Sequence, residues 1–334
     1  MGTPACAPRA AVGGLCATVL TVTHLVPLIC GPQESELALW EQALNAQAVG
    51  YRVVAARDLS VSDRERAEVA VVANPDPSQI ASFPGLKWVQ SLWAGVEKLV
   101  NELPASLPIV RLVDPALADT MAQAVLSWVL YLHRNHHLYR EQQQRGVWQP
   151  HSLVLPQDRK VAVLGMGELG LAAGLKLHQE RFEVTGWSRT DASARCPFPC
   201  FAGQHALPEV LAKADIVVVL LPLTAETEGL LGADLLPLLP AGASLINFAR
   251  GPIVVEQALL AALDNQLAHA VLDVFNTEPL PASHPFWQHN KVTVLPHVSA
   301  QTSVLSASRI ASQNLQRWFD SGVMPPSVDR VQGY

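Results

Sequence analysis

The chain has 334 residues, with 23 Lys and Arg against 29 Asp and Glu and a formal net charge of −6. At roughly 100–200 residues per domain this length predicts two domains, and the acidic balance argues against a nucleic-acid-binding protein. Hydrophobic residues make up 49% and charged residues 16%, which excludes a wholly disordered chain. Five cysteines in so long a chain form no disulfide framework, which favours a reducing compartment, the cytoplasm.

The N-terminal stretch from Ala10 to Cys30 is mostly apolar, as a signal peptide or a short membrane span would be. His24 and Pro27 interrupt the run, and no further spanning candidate follows it. We therefore favour a first buried strand at Val19–Leu25 behind a loose tail of residues 1–17, with no membrane association. A signal peptide is the alternative, because a short apolar run is ambiguous by pattern alone.

The N-terminal third alternates strand-like and helix-like segments. The strand-like runs are rich in β-branched residues and comprise Val19–Leu25, Tyr51–Ala55, Val69–Ala73, Lys87–Ser91 and Ile109–Leu112. Between the first two, Glu34–Gln47 places Leu37, Trp40 and Leu44 at helical spacing. Strands that alternate with helices predict a parallel sheet covered by helices on both faces.

The pattern from Pro115 to Gly146 predicts one long helix with an apolar stripe in its first half. His133 and His137 lie four residues apart in it, but no acidic or cysteine partner is near in the sequence. We interpret them as part of a solvated helix face rather than as metal ligands. The unit from Cys196 to Cys200 is likewise interpreted as a loop, so no metal is predicted.

The alternation restarts at Arg159 and continues through six apolar runs. These runs are Val161–Leu164, Glu183–Trp187, Ile216–Leu221, Ser244–Asn247, Ala270–Asp273 and Val292–Leu295. Six strands with intervening helices match a dinucleotide-binding sheet. A final helix is predicted at Ser306–Phe319.

A glycine-rich loop follows the first of these six runs. Gly165, Gly167 and Gly170 form G-x-G-x-x-G between a strand and a helix, with Met166, Glu168 and Leu169 at the intervening positions. The first glycine permits a tight turn, the second lets the backbone approach a pyrophosphate, and the third lets helix and strand pack closely. The free N–H groups of the helix N-terminus then face the phosphates.

The end of the next strand indicates which dinucleotide is bound. An NAD site places an acidic residue there for the ribose 2′-hydroxyl, whereas this chain has Ser188, Arg189 and Thr190. A guanidinium flanked by two hydroxyls suits a 2′-phosphate. We therefore predict NADPH as the cofactor, with NADH binding more weakly.

Three chemically capable residues follow later strands of the same sheet, where such sheets bind ligands. Arg250 can bind a 2-oxo acid through its planar fork of donors. His297 can give and take a proton near neutrality. Glu278 can hold the imidazole by a hydrogen bond and favour its protonated form. Together they predict hydride transfer to a carbonyl group.

At these residues the chain resembles the D-isomer-specific 2-hydroxyacid dehydrogenases, and most closely the bacterial glyoxylate/hydroxypyruvate reductase A branch. The resemblance runs from Thr18 nearly to the end and rests on GMGELG (165–170), WSRT (187–190), LPLTAETEGL (221–230), INFARG (246–251), LLAALD (259–264), LDVFNTEPLP (272–281), LPHVSA (295–300), LWAGVEKL (92–99) and the ending VDR..GY (328–334). It implies an α/β fold of two doubly wound parallel-sheet domains. A Rossmann dinucleotide-binding domain, 115–297, is inserted in a flavodoxin-like substrate domain, 1–114 plus 298–334. It also implies a homodimer through the helix at 115–146.

The resemblance further assigns site residues. It implies that backbone N–H groups at Ala94 and Gly95 hold the substrate carboxylate beside Arg250, and that Asp273 meets the nicotinamide amide. Trp93 stands where the family commonly has a small residue, so we expect it to reshape the substrate pocket. The remaining positions implied for the cofactor cleft are Leu221, Pro222, Thr227, Ala249 and His297.

The activity implied is NAD(P)H-dependent reduction of small 2-oxo acids, with glyoxylate giving glycolate and hydroxypyruvate giving D-glycerate. Two alternatives stay open from the sequence. One is a reductase of bulkier 2-oxo acids. The other is a cofactor-sensing binding protein of the same fold with little turnover, since a fold does not settle a function.

Overall fold

The computed structural model describes residues 24–31, 34–330 and 332 of the chain. The strands in these residues are β1 (His24–Cys30), β2 (Tyr51–Ala55), β3 (Val69–Ala73), β4 (Trp88–Ser91), β5 (Ile109–Val110), β6 (Lys160–Leu164), β7 (Glu183–Ser188), β8 (Cys200–Ala202), β9 (Ile216–Val219), β10 (Ser244–Asn247), β11 (His269–Leu272) and β12 (Val292–Val294). The α-helices are α1 (Glu34–Asn45), α2 (Val61–Arg66), α3 (Pro77–Ile80), α4 (Glu97–Glu102), α5 (Pro115–His133), α6 (His136–Arg145), α7 (Glu168–Gln179), α8 (Leu207–Leu211), α9 (Glu256–Asn265) and α10 (Val304–Ser321).

The strands form two separate parallel sheets. The first domain is built on five strands in the order β2-β1-β3-β4-β5, which is the flavodoxin-like order. The second domain is built on seven strands in the order β12-β11-β10-β9-β6-β7-β8. There the strand order reverses between β6 and β9, as in a Rossmann sheet, and the glycine loop follows β6 at that reversal. The predicted fold class is confirmed.

Each sheet is covered on both faces, which explains the continuous apolar runs in the sequence. In β6, Val161 and Val163 join the core beneath α5 and α7, whereas Ala162 and Leu164 join the core on the opposite face. The C-terminal helix α10 returns to the first sheet, where Ala307, Ala311 and Leu315 pack with α1 side chains. The first and the last helix of the described residues, α1 and α10, therefore both pack on the first domain.

The structure departs from the sequence-based strand assignments at two places. The predicted first strand at residues 19–25 and the loose tail of residues 1–17 fall almost wholly outside the described residues. The described strand continues past Pro27 to Cys30: Pro27 stands opposite Val54 of β2, and the ladder to β3 begins at Leu28. The second sheet also has a strand that the six-run prediction missed, the short edge strand β8.

The single long helix predicted at 115–146 is wrong, since two helices occupy this range. Asn135 adopts a left-handed conformation with φ of 56° and separates α5 from α6. Asparagine tolerates this conformation better than most residues because its short polar side chain bonds locally. Gly146 then ends α6 in the same left-handed region, as its position in the sequence indicated.

The interpretation of His133 and His137 as a solvated face is also wrong. His133 is buried with its ring edge against Phe182. The ring of His137 lies 4.9 Å from that of His269, which is only 4% exposed and contacts Thr293 Oγ1 at 2.9 Å. The break at Asn135 turns α6 so that its first residues pack against β11.

These buried histidines predict a loss of stability in mild acid. Burial, with a smaller contribution from His137, lowers the pKa of His269 to about 3, and burial lowers that of His137 to about 4, both from 6.5. Well above pH 6.5 both histidines are neutral in the folded and in the unfolded chain. As the pH falls below 6.5, they bind protons in the unfolded chain before they do so in the folded chain. We expect the free energy of unfolding to fall by up to about 1.4 kcal/mol per pH unit for each histidine.

Urea unfolding between neutral pH and the acid range measures this slope. His269→Gln should flatten it, while His178→Gln, at an exposed position on α7, should leave it unchanged. An unaltered slope in His269→Gln would mean that other groups cause the acid sensitivity.

Apolar side chains are exposed along and beyond the α5–α6 pair. They are Leu130, Val147, Trp148, Leu153 and Leu155, and Trp148 is 99% exposed. Exposed apolar groups of this kind suit an interface between protein chains. The homodimer through residues 115–146 stays a prediction, which this surface supports.

No helix in residues 24–31, 34–330 and 332 combines the length and apolar character needed to cross a bilayer. In the same residues, no three His, Cys, Asp or Glu side chains come together in a group that can hold a metal ion.

Candidate active site

A cavity of about 480 Å³ lies between the two domains. Its volume is in the range usual for small-molecule sites. The first domain contributes residues 94–97 and 111–114, and the second contributes the glycine loop 165–170, residues 187–192 at and after the end of β7, and Arg250. Leu221, Pro222, Thr227 and Ala249, all predicted for the cofactor cleft, also line it.

The glycine loop has the shape that a phosphate group requires. Gly165 has φ of 104°, which favours glycine, and a Cβ on Gly170 would lie 1.6 Å from the Gly165 carbonyl oxygen. The side of Gly167 where a Cβ would point is open, with nothing within 4 Å. Gly167 caps α7 without a side-chain hydrogen bond, so the first N–H groups of the helix stay available to an anion. The loop therefore fits a dinucleotide pyrophosphate.

The end of β7 places the positively charged side chain of Arg189 at the same cavity. Arg189 Nη2 donates a hydrogen bond to Gln332 Oε1 at 2.6 Å, and Arg189 Nη1 lies 4.0 Å from Glu226 Oε2. Ser188 Oγ donates to the carbonyl of Thr190 at 2.6 Å, which curls the turn. The residues that line the cavity here are Ser188, Arg189, Thr190, Glu226 and Gln332. The arrangement suits a 2′-phosphate, and the sequence alone had not indicated Gln332 at this position.

Asp191, the acidic residue that follows this turn in the sequence, is used locally. Asp191 Oδ1 accepts a hydrogen bond from the Ser193 N–H at 2.8 Å, which lowers the pKa of Asp191. Its carboxylate thus stabilises the loop as an Asx turn.

Thr227 closes another edge of the cavity. Its Oγ1 donates to the Pro222 carbonyl at 2.6 Å and accepts from the Thr224 N–H at 2.8 Å. These bonds fold the segment after β9 into a compact turn beside the glycine loop. Leu221 and Pro222 reach the cavity as a result.

Arg250 reaches across from β10 to the first domain. Its Nε lies 3.2 Å from Glu97 Oε1, and its Nη2 donates to Glu97 Oε2 at 3.3 Å. Its Nη1 donates to the Ala249 carbonyl at 2.7 Å. A Cβ on Gly95 would lie 1.7 Å from Arg250 Nη2, so any larger residue at this position would displace the guanidinium. Ala94, Gly95 and Arg250, which the sequence analysis named for substrate binding, all line the cavity, and Gly95 and Arg250 meet at one end of it. Their role in substrate binding stays a prediction.

Two residues that the first domain contributes to the cavity lining, Glu97 and Arg111, were missed by the sequence analysis. Glu97 stands in the stretch LWAGVEKL, two residues after Gly95, and that proximity was the available signal. Trp93 is placed differently from the expectation. Its ring packs edge-on against Trp40 at 5.8 Å, and it is not among the described residues that line the cavity.

Glu278 and His297 form a hydrogen-bonded pair. His297 Nδ1 lies 2.8 Å from Glu278 Oε2, while Glu278 Oε1 accepts from the Phe275 N–H at 2.9 Å. The His297 side chain is 53% exposed and the Glu278 side chain 36%, and neither residue is among the described residues that line the cavity. Glu278 follows β11, which is adjacent to β10, and His297 follows β12, which is adjacent to β11, so the pair and Arg250 share the carboxyl-terminal edge of the sheet.

Asp273 supports the histidine rather than standing free. Its two carboxylate oxygens accept hydrogen bonds from Val298 N–H at 2.8 Å and Ser299 N–H at 2.9 Å. His297 itself has φ of 55°, a left-handed conformation that is strained for this residue type. The buried Asp273 carboxylate holds Val298 and Ser299, the two residues after His297, and so maintains the conformation of His297. A contact between Asp273 and the nicotinamide amide stays a prediction.

The fold and site together define a two-domain α/β protein whose glycine loop and β7 end, on the cavity between the domains, suit a dinucleotide. Residues 126–299 match the model of the D-isomer specific 2-hydroxyacid dehydrogenase, NAD binding domain. Solved structures extend the likeness over nearly the whole chain.

A D-isomer specific 2-hydroxyacid dehydrogenase from Xanthobacter autotrophicus Py2, in complex with NADPH and MES, is 39% identical with a TM-score of 0.86. The match covers 92% of this chain and 99% of that one. An NADPH-dependent glyoxylate/hydroxypyruvate reductase from Sinorhizobium meliloti, in complex with NADP and sulfate, is 32% identical with a TM-score of 0.83. That match covers 93% of this chain and all of the other, 100%.

The chain belongs to the D-isomer-specific 2-hydroxyacid dehydrogenase family. The resemblance derived from its sequence is thereby confirmed. The protein is an oxidoreductase of that family with a nicotinamide cofactor.

Proposed function

We propose that the protein is an NADPH-dependent reductase of small 2-oxo acids, converting glyoxylate to glycolate and hydroxypyruvate to D-glycerate. The observation that carries the proposal is the 2.8 Å contact between His297 Nδ1 and Glu278 Oε2 on the sheet edge shared with Arg250. That contact occupies one ring nitrogen and leaves Nε2 as the proton donor. The Sinorhizobium meliloti protein, which bears this activity in its description, supports the substrate assignment.

Each residue at the substrate end has a distinct task in this proposal. The N–H groups of Ala94 and Gly95 bind the substrate carboxylate. Arg250 carries five N–H donors, and Nη1 and Nη2 each retain a second N–H after bonding Ala249 and Glu97. These donors polarise the carbonyl and orient the carboxylate.

The nicotinamide supplies a hydride to the carbonyl carbon when the cofactor is bound. His297 then delivers a proton to the carbonyl oxygen, so that the C=O becomes CH–OH. Glu278 holds the imidazole in the tautomer and orientation that place Nε2 for this transfer. Asp273 is a positioning residue, because it holds the backbone that follows His297.

The cofactor preference is part of the proposal. Glycines 165, 167 and 170 with α7 would hold the pyrophosphate, and Ser188, Arg189 and Thr190 would hold the 2′-phosphate. A guanidinium at this position favours the additional dianion of NADPH. Cofactors named with two of the similar structures, NADPH and NADP, agree with this preference.

The test is a steady-state assay of reduced-cofactor oxidation with glyoxylate, hydroxypyruvate, pyruvate and phenylpyruvate, each with NADPH and with NADH. We expect the highest kcat/KM for glyoxylate and hydroxypyruvate with NADPH, and D-glycerate as the product from hydroxypyruvate. A maximum with phenylpyruvate would identify a reductase of bulkier acids. Tight NADPH binding without turnover of any acid would favour a cofactor-sensing protein.

A further inference from the structure

The contact between Glu97 and Arg250 joins the two domains inside the cavity. Glu97 opens α4 of the first domain, 153 residues away from Arg250 in the chain. Two nitrogens of the guanidinium each face one carboxylate oxygen, at 3.2 and 3.3 Å. The Glu97 side chain is 22% exposed and the Arg250 side chain 33%, so water screens the ion pair only partly. The arginine proposed to bind substrate thus already has an anionic partner.

The position of Glu97 is maintained from the far end of its helix. The Arg330 guanidinium donates four hydrogen bonds to main-chain carbonyls at the end of α4 and in the loop that follows, those of Val100, Leu103, Pro104 and Leu107. A short helix tethered in this way cannot carry Glu97 out of the cavity without breaking these bonds. The four bonds therefore hold the backbone of α4, the helix that opens with Glu97, in place on the first domain.

The fixed charge has a consequence for which acids can bind. Glu97 reduces the net positive charge that Arg250 brings to the cavity, leaving enough attraction for one carboxylate held also by backbone N–H groups. A second carboxylate on the substrate would lie in the same small, partly dehydrated space as the Glu97 carboxylate. Like charges in such a space repel strongly.

We propose that Glu97 is a specificity-determining residue that restricts the site to 2-oxo monocarboxylic acids and excludes 2-oxo dicarboxylic acids. The proposal rests on the proposed function, in that it places a 2-oxo acid at Arg250. It assigns to Glu97 a role in selection, through its charge, and not in the chemical step.

The test compares Glu97→Gln and Glu97→Asp with the wild-type protein and with Glu102→Gln. Glu102 is an exposed residue at the other end of the same helix and serves as the matched control. For each protein, kcat and KM are measured with NADPH for glyoxylate, hydroxypyruvate, oxaloacetate and 2-oxoglutarate. Binding of glycolate and D-malate to the NADPH-loaded protein is measured in parallel by calorimetry.

We expect Glu97→Gln to raise the ratio of kcat/KM for oxaloacetate over glyoxylate by about 10-fold or more, chiefly through KM. The ratio of D-malate to glycolate affinity should rise by a similar factor. Glu97→Asp, which keeps the charge, and Glu102→Gln should both keep the wild-type ratios.

Unchanged ratios in Glu97→Gln would overturn the proposal, and so would a uniform loss of kcat for every acid, which would show a structural role only. A wild-type protein that reduces no 2-oxo acid would instead refute the proposed function. In that case the calorimetric ratio of D-malate to glycolate still decides whether Glu97 excludes a second carboxylate.

Discussion

The His297→Asn variant is expected to lose about 10²- to 10⁴-fold of kcat for glyoxylate reduction, the usual contribution of a positioned proton donor. Asparagine can keep a hydrogen bond to Glu278 but cannot deliver a proton to the carbonyl oxygen. The glycine loop and Arg189 lie on the cavity, apart from the His297 side chain, so the affinity for NADPH should change little. Steady-state kinetics and fluorescence titration of NADPH measure the two quantities.

His178→Asn provides the control for this prediction, because His178 is exposed near the end of α7. It should retain the wild-type kcat and NADPH affinity. If His297→Asn kept near-normal turnover, another group would have to supply the proton, and the assignment of His297 would be wrong.

The Arg189→Ala variant is expected to weaken NADPH binding by about 10- to 100-fold, the effect of losing charge-assisted hydrogen bonds to a phosphate. NADH lacks the 2′-phosphate, so its affinity should change by no more than about 3-fold, within the scatter of single exposed contacts. Calorimetric or fluorescence titration of both reduced cofactors gives the two dissociation constants. The ratio between them is the decisive quantity.

Arg140→Ala is a suitable control, since Arg140 is exposed on α6 and is not among the residues that line the cavity. It should leave both affinities unchanged. Equal losses of NADPH and NADH in Arg189→Ala would contradict the 2′-phosphate assignment. They would indicate that Arg189 acts through its hydrogen bond to Gln332 on the shape of the cleft.

The local features of this protein follow from its sequence. Strands buried on both faces appear as continuous apolar runs, and for β2, β3 and β10 the predicted bounds agree with the observed ones. The G-x-G-x-x-G spacing predicts the turn at Gly165 because its backbone conformation depends on adjacent residues. Arg250, Glu278 and His297 were identifiable because each follows a strand, and parallel strands present their carboxyl ends at one edge.

Other features depend on contacts between distant parts of the chain, and only the tertiary structure decides them. Glu97 meets Arg250 and Gln332 meets Arg189 across 153 and 143 residues, because the connection between the sheets brings α4 and the C-terminal segment onto the second domain. The burial of His137 depends on the turn at Asn135, which directs α6 against His269. No local pattern encodes such partners, since sequence periodicity reports which face of an element is buried but not which residue will cover it.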